Sequence, residues 1–317
     1  MNENVFICTK PLQYFNIKNI PYSKYFNAND KKILIVADEF YRSEDFYKEI
    51  KKVDKDWDKV IFRRNYNHAL LYLWSHYSVS NVFLSSDIGL FVSLTCSLRS
   101  FNVYTYEEGV DTYSVNRTLT GSSSLLKLFR TCLGNGLYMN DSKWLNGCFL
   151  YSPELFVRFR PQTAIRLYKM ERSFSEHMYK MRDFFKGLYD DSVISPINDI
   201  KKSSVLLYIS NWEIDNRIVC EISNVKRHYD YVLIKLHPNI KKKIEILRDN
   251  NVIYVNNQMM AEFLITLLLS NENQITIFHN NSTAVLYYQN DVKLVSFSKD
   301  ENYDKISSFL ANKALYL

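Results

Sequence analysis

Tyr231-Val232-Leu233-Ile234-Lys235-Leu236-His237-Pro238-Asn239 opens as a short run of branched apolar residues and closes on a proline. A run of this kind, bounded where Pro238 withdraws a backbone donor, reads as a buried strand that ends at the proline. Lys235 and His237 stand two apart, so on a strand they share a face. A cation and an imidazole delivered at the carboxyl end of a parallel strand lie where open α/β sheets bind ligands. A strand-end histidine alone is as easily structural as functional, so its company elsewhere carries the argument.

That company is a repeating pattern. Val5-Phe6-Ile7-Cys8 leads into Thr9-Lys10-Pro11-Leu12-Gln13, a strand followed by a proline suited to a first helical turn. Lys32 to Asp38, Val60 to Phe62, Asn81 to Asp87 and Val103 to Tyr106 are further strand patterns, with amphipathic segments such as His68 to Tyr77 and Ile88 to Leu98 interleaved. Gly121 to Gly136 reads as a loop with a short helix, and Phe149-Leu150-Tyr151 as the last strand of the first half. A long helix is expected over about Thr163 to Leu188, and Asp190 to Lys202, with Pro196, as the linker. The alternation then restarts at Val205 to Ile209 and continues through Val252 to Val255, a helix from about Met259, Gln274 to Phe278, a helix from Ser282, and Val292 to Val295. Alternation of this kind implies parallel sheets covered on both faces. The expected architecture is α/β: two doubly wound, Rossmann-like domains facing across a cleft, over residues 1–190 and 191–317.

The composition fits. The chain has 317 residues, 47% hydrophobic and 23% charged, an ordinary globular balance that excludes disorder and fibrous repeats. Its surplus is aromatic, 24 Tyr and 20 Phe, for which a tyrosine-rich core is the first explanation. The net charge of +6 favours an anionic partner, and Lys241-Lys242-Lys243 is the densest basic cluster. Five scattered cysteines without C-x-x-C spacing argue against a zinc site or a disulfide framework and for a reducing compartment. The first residues do not form a secretory leader, and no stretch of about 18 apolar residues is present, so a cytoplasmic location is expected.

Three groups of residues at expected strand ends could carry chemistry. Glu107-Glu108-Gly109 follows a strand; neighbouring carboxylates repel, so one should hold its proton more tightly and serve as a general base, while Gly109 permits a sharp turn. Phe278-His279-Asn280-Asn281-Ser282-Thr283 ends a strand and opens a helix whose free N–H groups and hydroxyls suit a phosphate. Glu262, at a helix start, could accept from ribose hydroxyls. No G-x-G-x-x-G, phosphate loop or H-E-x-x-H is present.

Taken together these residues resemble the bacterial sialyltransferases of the GT-B fold, most closely the lipooligosaccharide sialyltransferases of glycosyltransferase family 52, relatives of the bacterial polysialyltransferases. The resemblance rests on Ile7 to Gln13 with its Pro-Leu-Gln turn, on Glu107-Glu108-Gly109 with Thr112-Tyr113 beyond, on Lys235-Leu236-His237-Pro238, and on Ser282-Thr283. It implies inverting transfer from CMP-sialic acid to a sugar hydroxyl, such as a galactoside of lipooligosaccharide or capsule, with no metal or other cofactor. Glu107 or Glu108 would take the acceptor proton, with Glu107 slightly preferred. His237, as acid or cation, would stabilise the departing CMP phosphate, Ser282 and Thr283 would hold its oxygens, and Lys235 and Glu262 would contact cytosine and ribose. The motif also brings Pro238, Gly109 and Gln13 into the candidate set. Two departures stand out: His279, which could supplement His237, and an acidic pair that contains no aspartate.

The implied partners are the donor and an oligosaccharide acceptor, which a lipid could carry, with peripheral contact to the inner membrane and no nucleic acid; an oligomer is compatible. Two alternatives are a GT-B enzyme for another nucleotide sugar, CMP-nonulosonic acid or a UDP-hexose, and a basic module that binds polyanions.

Overall fold

A computed structural model describes residues 2–113, 124–136, 138–240, 244, 249, 251–298 and 300–314. The start of the Gly121 to Gly136 stretch, residues 121–123, and Lys241-Lys242-Lys243 lie outside these residues. The chain divides into two units, Met1–Ser173 and Phe174–Leu317.

The first unit is built on seven strands: β1 (Glu3–Cys8), β2 (Lys31–Ala37), β3 (Lys59–Arg63), β4 (Val79–Leu84), β5 (Asn102–Tyr106), β6 (Leu145–Leu150) and β7 (Leu167–Lys169). They form one parallel sheet in the order β3-β2-β1-β4-β5-β6-β7. Near-continuous burial along β1 and β2 is what a parallel sheet covered on both faces requires. Part of the aromatic surplus lies on this sheet. Phe6 stacks on Phe83 with centroids 4.1 Å apart, Phe83 on Tyr104 at 5.3 Å, and Phe149 on Tyr168 at 4.8 Å, a ring ladder running across the strands. The direction of strand addition reverses between β1 and β4, and the carboxyl ends there form the expected ligand edge.

The second unit carries β8 (Ser204–Ile209), β9 (Tyr231–Lys235), β10 (Val252–Tyr254), β11 (Gln274–His279) and β12 (Lys293–Ser296), all parallel, in the order β10-β9-β8-β11-β12. Its reversal lies between β8 and β11. One face, with Leu206, Tyr208, Val232, Ile234 and Phe278, packs on Ile218, Val219 and Ile222 of the helix Asn216–Val225.

Several boundaries differ from the sequence reading. Thr163 to Lys169 is not helical: Leu167–Lys169 forms β7, because Tyr168 stacks against Phe149 in a space that Gly147 leaves open. A Cβ on Gly147 would stand 2.4 Å from the Tyr168 ring. Phe149 therefore lies on the penultimate strand of the first sheet. The expected linker is the helix Asp191–Asn198, with Ile194 and Ile197 buried; burial overrides the interruption by Pro196. The helix Phe174–Lys186 belongs to the second unit, so the division falls before it and not at residue 190. The helix expected from Ser282 is only a 3₁₀ turn, Thr283–Val285, in a segment of β-branched and aromatic residues that are weak helix formers.

Candidate functional site

In the first unit the turn after β1 and the turn after β5 are tied together. Gln13 accepts the Thr9 N–H at 2.7 Å and donates to Glu108 at 2.9 Å, and Lys10 pairs with the same Glu108 carboxylate. Pro11 starts the helix Pro11–Lys18, which sets Gln13 in its first turn facing the sheet edge. Thr112 Oγ1 accepts the Glu108 N–H at 2.8 Å, and Gly109 takes φ +82°, a conformation open to glycine at little cost. The Glu108 side chain keeps 19% of its surface accessible.

Glu107 is placed differently, although it is the adjacent residue. It is 1% exposed, accepts from the Tyr113 hydroxyl and from the Tyr151 N–H at 2.8 Å, and its Oε1 has no partner among the described residues. Burial pushes its pKa up to about 8, against the opposing hydrogen bonds from Tyr113 and Tyr151. Asn16 caps the Glu107 carbonyl at 2.7 Å. Of the two carboxylates, then, one is a buried acid locked in the wall and the other faces the solvent.

In the second unit β9 ends at Lys235, so His237 stands beyond the strand and not on its face. Lys235 is 4% exposed, and its ammonium donates to the carbonyls of Leu236 and Asn257, each at 2.9 Å. Burial lowers its pKa to about 8, opposed by the Glu262 carboxylate. Its function at this edge is to fasten the loop that leads into the helix Ala261–Ser270, in whose first turn Glu262 is buried.

His237 is half-buried. Its N–H donates to Ser210 Oγ at 2.8 Å, which ties the end of β9 to the end of β8. Its Nδ1 accepts the Asn239 N–H at 3.3 Å, the indole of Trp212 lies 4.3 Å from the imidazole, and Pro238 turns the chain outward, exposed. An Nδ1 that accepts leaves the ring proton on Nε2. Burial, and then the charge of Lys235, lowers the His237 pKa, so the ring is neutral near pH 7.

At the end of β11, His279 is 2% exposed, with Nδ1 lacking a partner among the described residues and its pKa lowered to about 4 by burial. Asn281 adopts φ +53°, which bends the chain so that Ser282 and Thr283 follow at the sheet edge, half-buried, and the Tyr303 hydroxyl holds the Ser282 carbonyl at 2.7 Å. His237, His279, Ser282 and Thr283 thus belong to the carboxyl ends of β9 and β11 in one sheet, with β8 between them, while Gln13, Glu107, Glu108 and Gly109 belong to one edge of the other. Sequence reasoning overlooked Lys10, Asn16, Tyr151, Ser210 and Trp212. Lys10 lay inside a quoted motif, whereas the others act through contacts far apart in the chain.

No protein-family model and no curated protein matches the chain. Solved structures do. UDP-GlcNAc 2-epimerase from Methanocaldococcus jannaschii, in complex with UDP-GlcNAc and UDP, is similar with a TM-score of 0.56 at 13% identity, over 98% of this chain and 93% of that one. The wall teichoic acid polymerase TagF, soaked with CDPG, is similar at 0.51 and 13% identity, over 90% of this chain and 67% of that one. A UDP-glucosyltransferase from Polygonum tinctorium is similar at 0.51 and 9% identity, over 98% and 83%. At these identities the likeness is one of fold, and with the two parallel sheets it gives the chain the GT-B fold: α/β, two Rossmann-like units.

Proposed function

We propose that the chain is an inverting glycosyltransferase that moves sialic acid from CMP-sialic acid to a sugar hydroxyl of a bacterial surface glycan. The observation that carries this reading is the His237 tautomer. A neutral imidazole with Nδ1 committed to Asn239 presents Nε2–H as a donor at the carboxyl end of a parallel strand, where a leaving phosphate gathers charge. The Ser282 and Thr283 hydroxyls at the end of β11 supply further donors to phosphate oxygens. His237 acts as a neutral hydrogen-bond donor to the charge growing on the leaving phosphate, with no proton transferred, in keeping with its lowered pKa.

For the acceptor proton the reading favours Glu108. It is accessible and held by Gln13 and Lys10, whereas Glu107 is sealed in and protonated near neutral pH. Glu107 supports the turn that aims Glu108. The structural neighbours with UDP-GlcNAc and CDPG support a nucleotide-linked donor, and the cytidine of CDP-glycerol is the closer parallel to CMP. No described helix is long and apolar enough to cross a membrane, so a lipid-linked acceptor would be reached by peripheral contact.

The test is CMP release from CMP-sialic acid with a lactoside acceptor. Wild type is expected to release CMP, and His237→Ala to lose about 10²- to 10³-fold in kcat, the range for a removed hydrogen-bond donor to developing charge. Equal release by the two proteins would end the assignment. The UDP-bound neighbours favour one second reading, a UDP-sugar donor; thermal stabilisation by UDP with indifference to CMP would select it.

A further inference from the structure

The outer helices of the first unit leave apolar side chains in the solvent. The helix Leu90–Leu98 carries no charged residue, and a helix of that composition is ordinarily enclosed on every side. Here Val92 and Cys96 pack on the sheet core, while Leu90, Leu94 and Leu98, spaced by four, form a stripe about 12 Å long on the opposite side. Leu98 is 63% exposed. The helix Tyr66–Ser75 lies alongside, joined by the Trp74 indole N–H, which donates to Thr95 Oγ1 at 3.0 Å, and it adds the exposed Leu71. The helix Ser124–Cys132 reaches the start of the stripe, where its Arg130 and Ile88 border one small hollow, and it adds Leu128, 62% exposed, and Phe129.

The charge around these side chains has one sign. Between Arg63 and Tyr106 the sequence holds a single acidic residue, Asp87, which is buried with its carboxylate bonded to the N–H groups of Asn140, Asp141 and Ser142. None of the three helices contains an acid. Arg64 is exposed, Arg130 is half-buried, and the Arg99 guanidinium lies 4.6 Å from the centre of the exposed Tyr77 ring. This pattern discriminates between partners. In a symmetric contact with a second copy the face would meet itself, arginine against arginine, with no carboxylate to pair them. Nucleic acid gains its apolar contacts by stacking on aromatic rings, which leucines do not offer. An anionic bilayer surface takes both features, apolar chains between the headgroups and cations at the phosphates.

We infer that these three helices form a docking face for an anionic lipid surface, with the exposed leucines and Phe129 entering the headgroup layer and the arginines beside its phosphates. The helix Leu90–Leu98 follows β4, so the stripe begins at the carboxyl edge of the sheet on which Glu108 also stands. The inference rests on the transferase reading for what docking serves, a lipid-linked acceptor brought to that edge, and on the surface alone for the lipid.

The test is flotation of the full chain with vesicles of phosphatidylglycerol and phosphatidylethanolamine, and with vesicles of phosphatidylcholine. Binding to the anionic vesicles is expected to be roughly tenfold tighter, and to weaken as salt is raised. Leu98→Gln combined with Phe129→Gln should weaken it about tenfold and leave the thermal midpoint, and CMP release with a soluble lactoside, as in wild type. Arg64→Gln, which keeps the apolar surface intact, should weaken it by a smaller factor. Tyr41→Gln combined with Val53→Gln removes exposed apolar surface elsewhere in the same unit and should bind like wild type. Wild type that stays behind when anionic vesicles float, equal loss in the two double variants, or unchanged binding by the Leu98 and Phe129 variant overturns the docking face. Self-association in lipid-free sedimentation that the same variant abolishes also overturns it and gives the face to a second copy. CMP release without vesicle binding defeats the docking face alone; vesicle binding without CMP release defeats the sialyltransferase reading and leaves the docking face standing.

Discussion

Lys235 and His279 lie in one row across the second sheet, each paired with Ile209 from opposite sides. Residues level with one another in parallel strands project to the same face, so the ammonium and the imidazole share a side, about 10 Å apart across the intervening strand. Each is shifted by its own burial and not by the other: burial lowers His279 to about 4 and Lys235 to about 8, so near pH 7 the imidazole is neutral while the ammonium keeps its proton.

His279→Phe separates ligand binding from folding. The imidazole Nδ1 has no partner among the described residues, so an apolar ring of similar size should leave stability within about 1 kcal/mol of wild type or raise it. CMP affinity should fall about tenfold if the ring nitrogen serves the nucleotide. Urea unfolding and CMP titration of the same variant read the two effects separately, and unchanged CMP affinity would remove His279 from the donor site.

Lys235→Ala should behave in the opposite way. It strands the Leu236 and Asn257 carbonyls and leaves a cavity, so a loss of roughly 2–4 kcal/mol in unfolding free energy is expected. Protection from hydrogen exchange should drop first in the 256–260 segment. A variant as stable as wild type would show that the ammonium does not anchor that loop.

Glu107 sets a pH dependence of stability. Below its ordinary value of 4.5 the carboxyl is protonated in both the folded and the unfolded chain. As pH rises from 4.5 to about 8 the unfolded chain releases the proton while the folded chain retains it, so stability falls through this window and the fall is complete above it. At about 1.4 kcal/mol per unit the whole effect is on the order of 5 kcal/mol. Glu107→Gln should flatten the decline in urea midpoints between pH 5 and 8; a parallel decline in the variant would show that another group causes it.

Gly109→Ala should cost about 1 kcal/mol, the strain of a side chain at φ +82°. Because Gly109 follows Glu108 directly, the transfer rate should fall further than stability does, with the larger part in kcat. A variant with wild-type kcat would separate the Glu108 carboxylate from the reaction.

The alternation of strands and helices was legible because buried parallel strands must be apolar on both faces, a requirement written into Lys31–Ala37 and Ser204–Ile209 residue by residue. Less legible were elements whose state depends on a distant partner. Leu167–Lys169 became a strand through a ring stack on Phe149, and Asp191–Asn198 became a helix through burial of Ile194 and Ile197. The candidate motifs could be found by their position after strands, but the division of labour within Glu107-Glu108 could not, since adjacent residues at a strand end leave in opposite directions.

From its sequence alone, this protein's fold class and the strand ends that carry its candidate residues were determined, because hydrophobic periodicity is a local consequence of burial. Only the tertiary structure decided that Glu107 is a sealed acid beside Tyr113, that Lys235 serves the backbone of Asn257, and that Leu98 and Phe129 stay in the solvent. Protonation, pairing and access depend on the dielectric and on neighbours far along the chain, and these exist only once the sheets have formed.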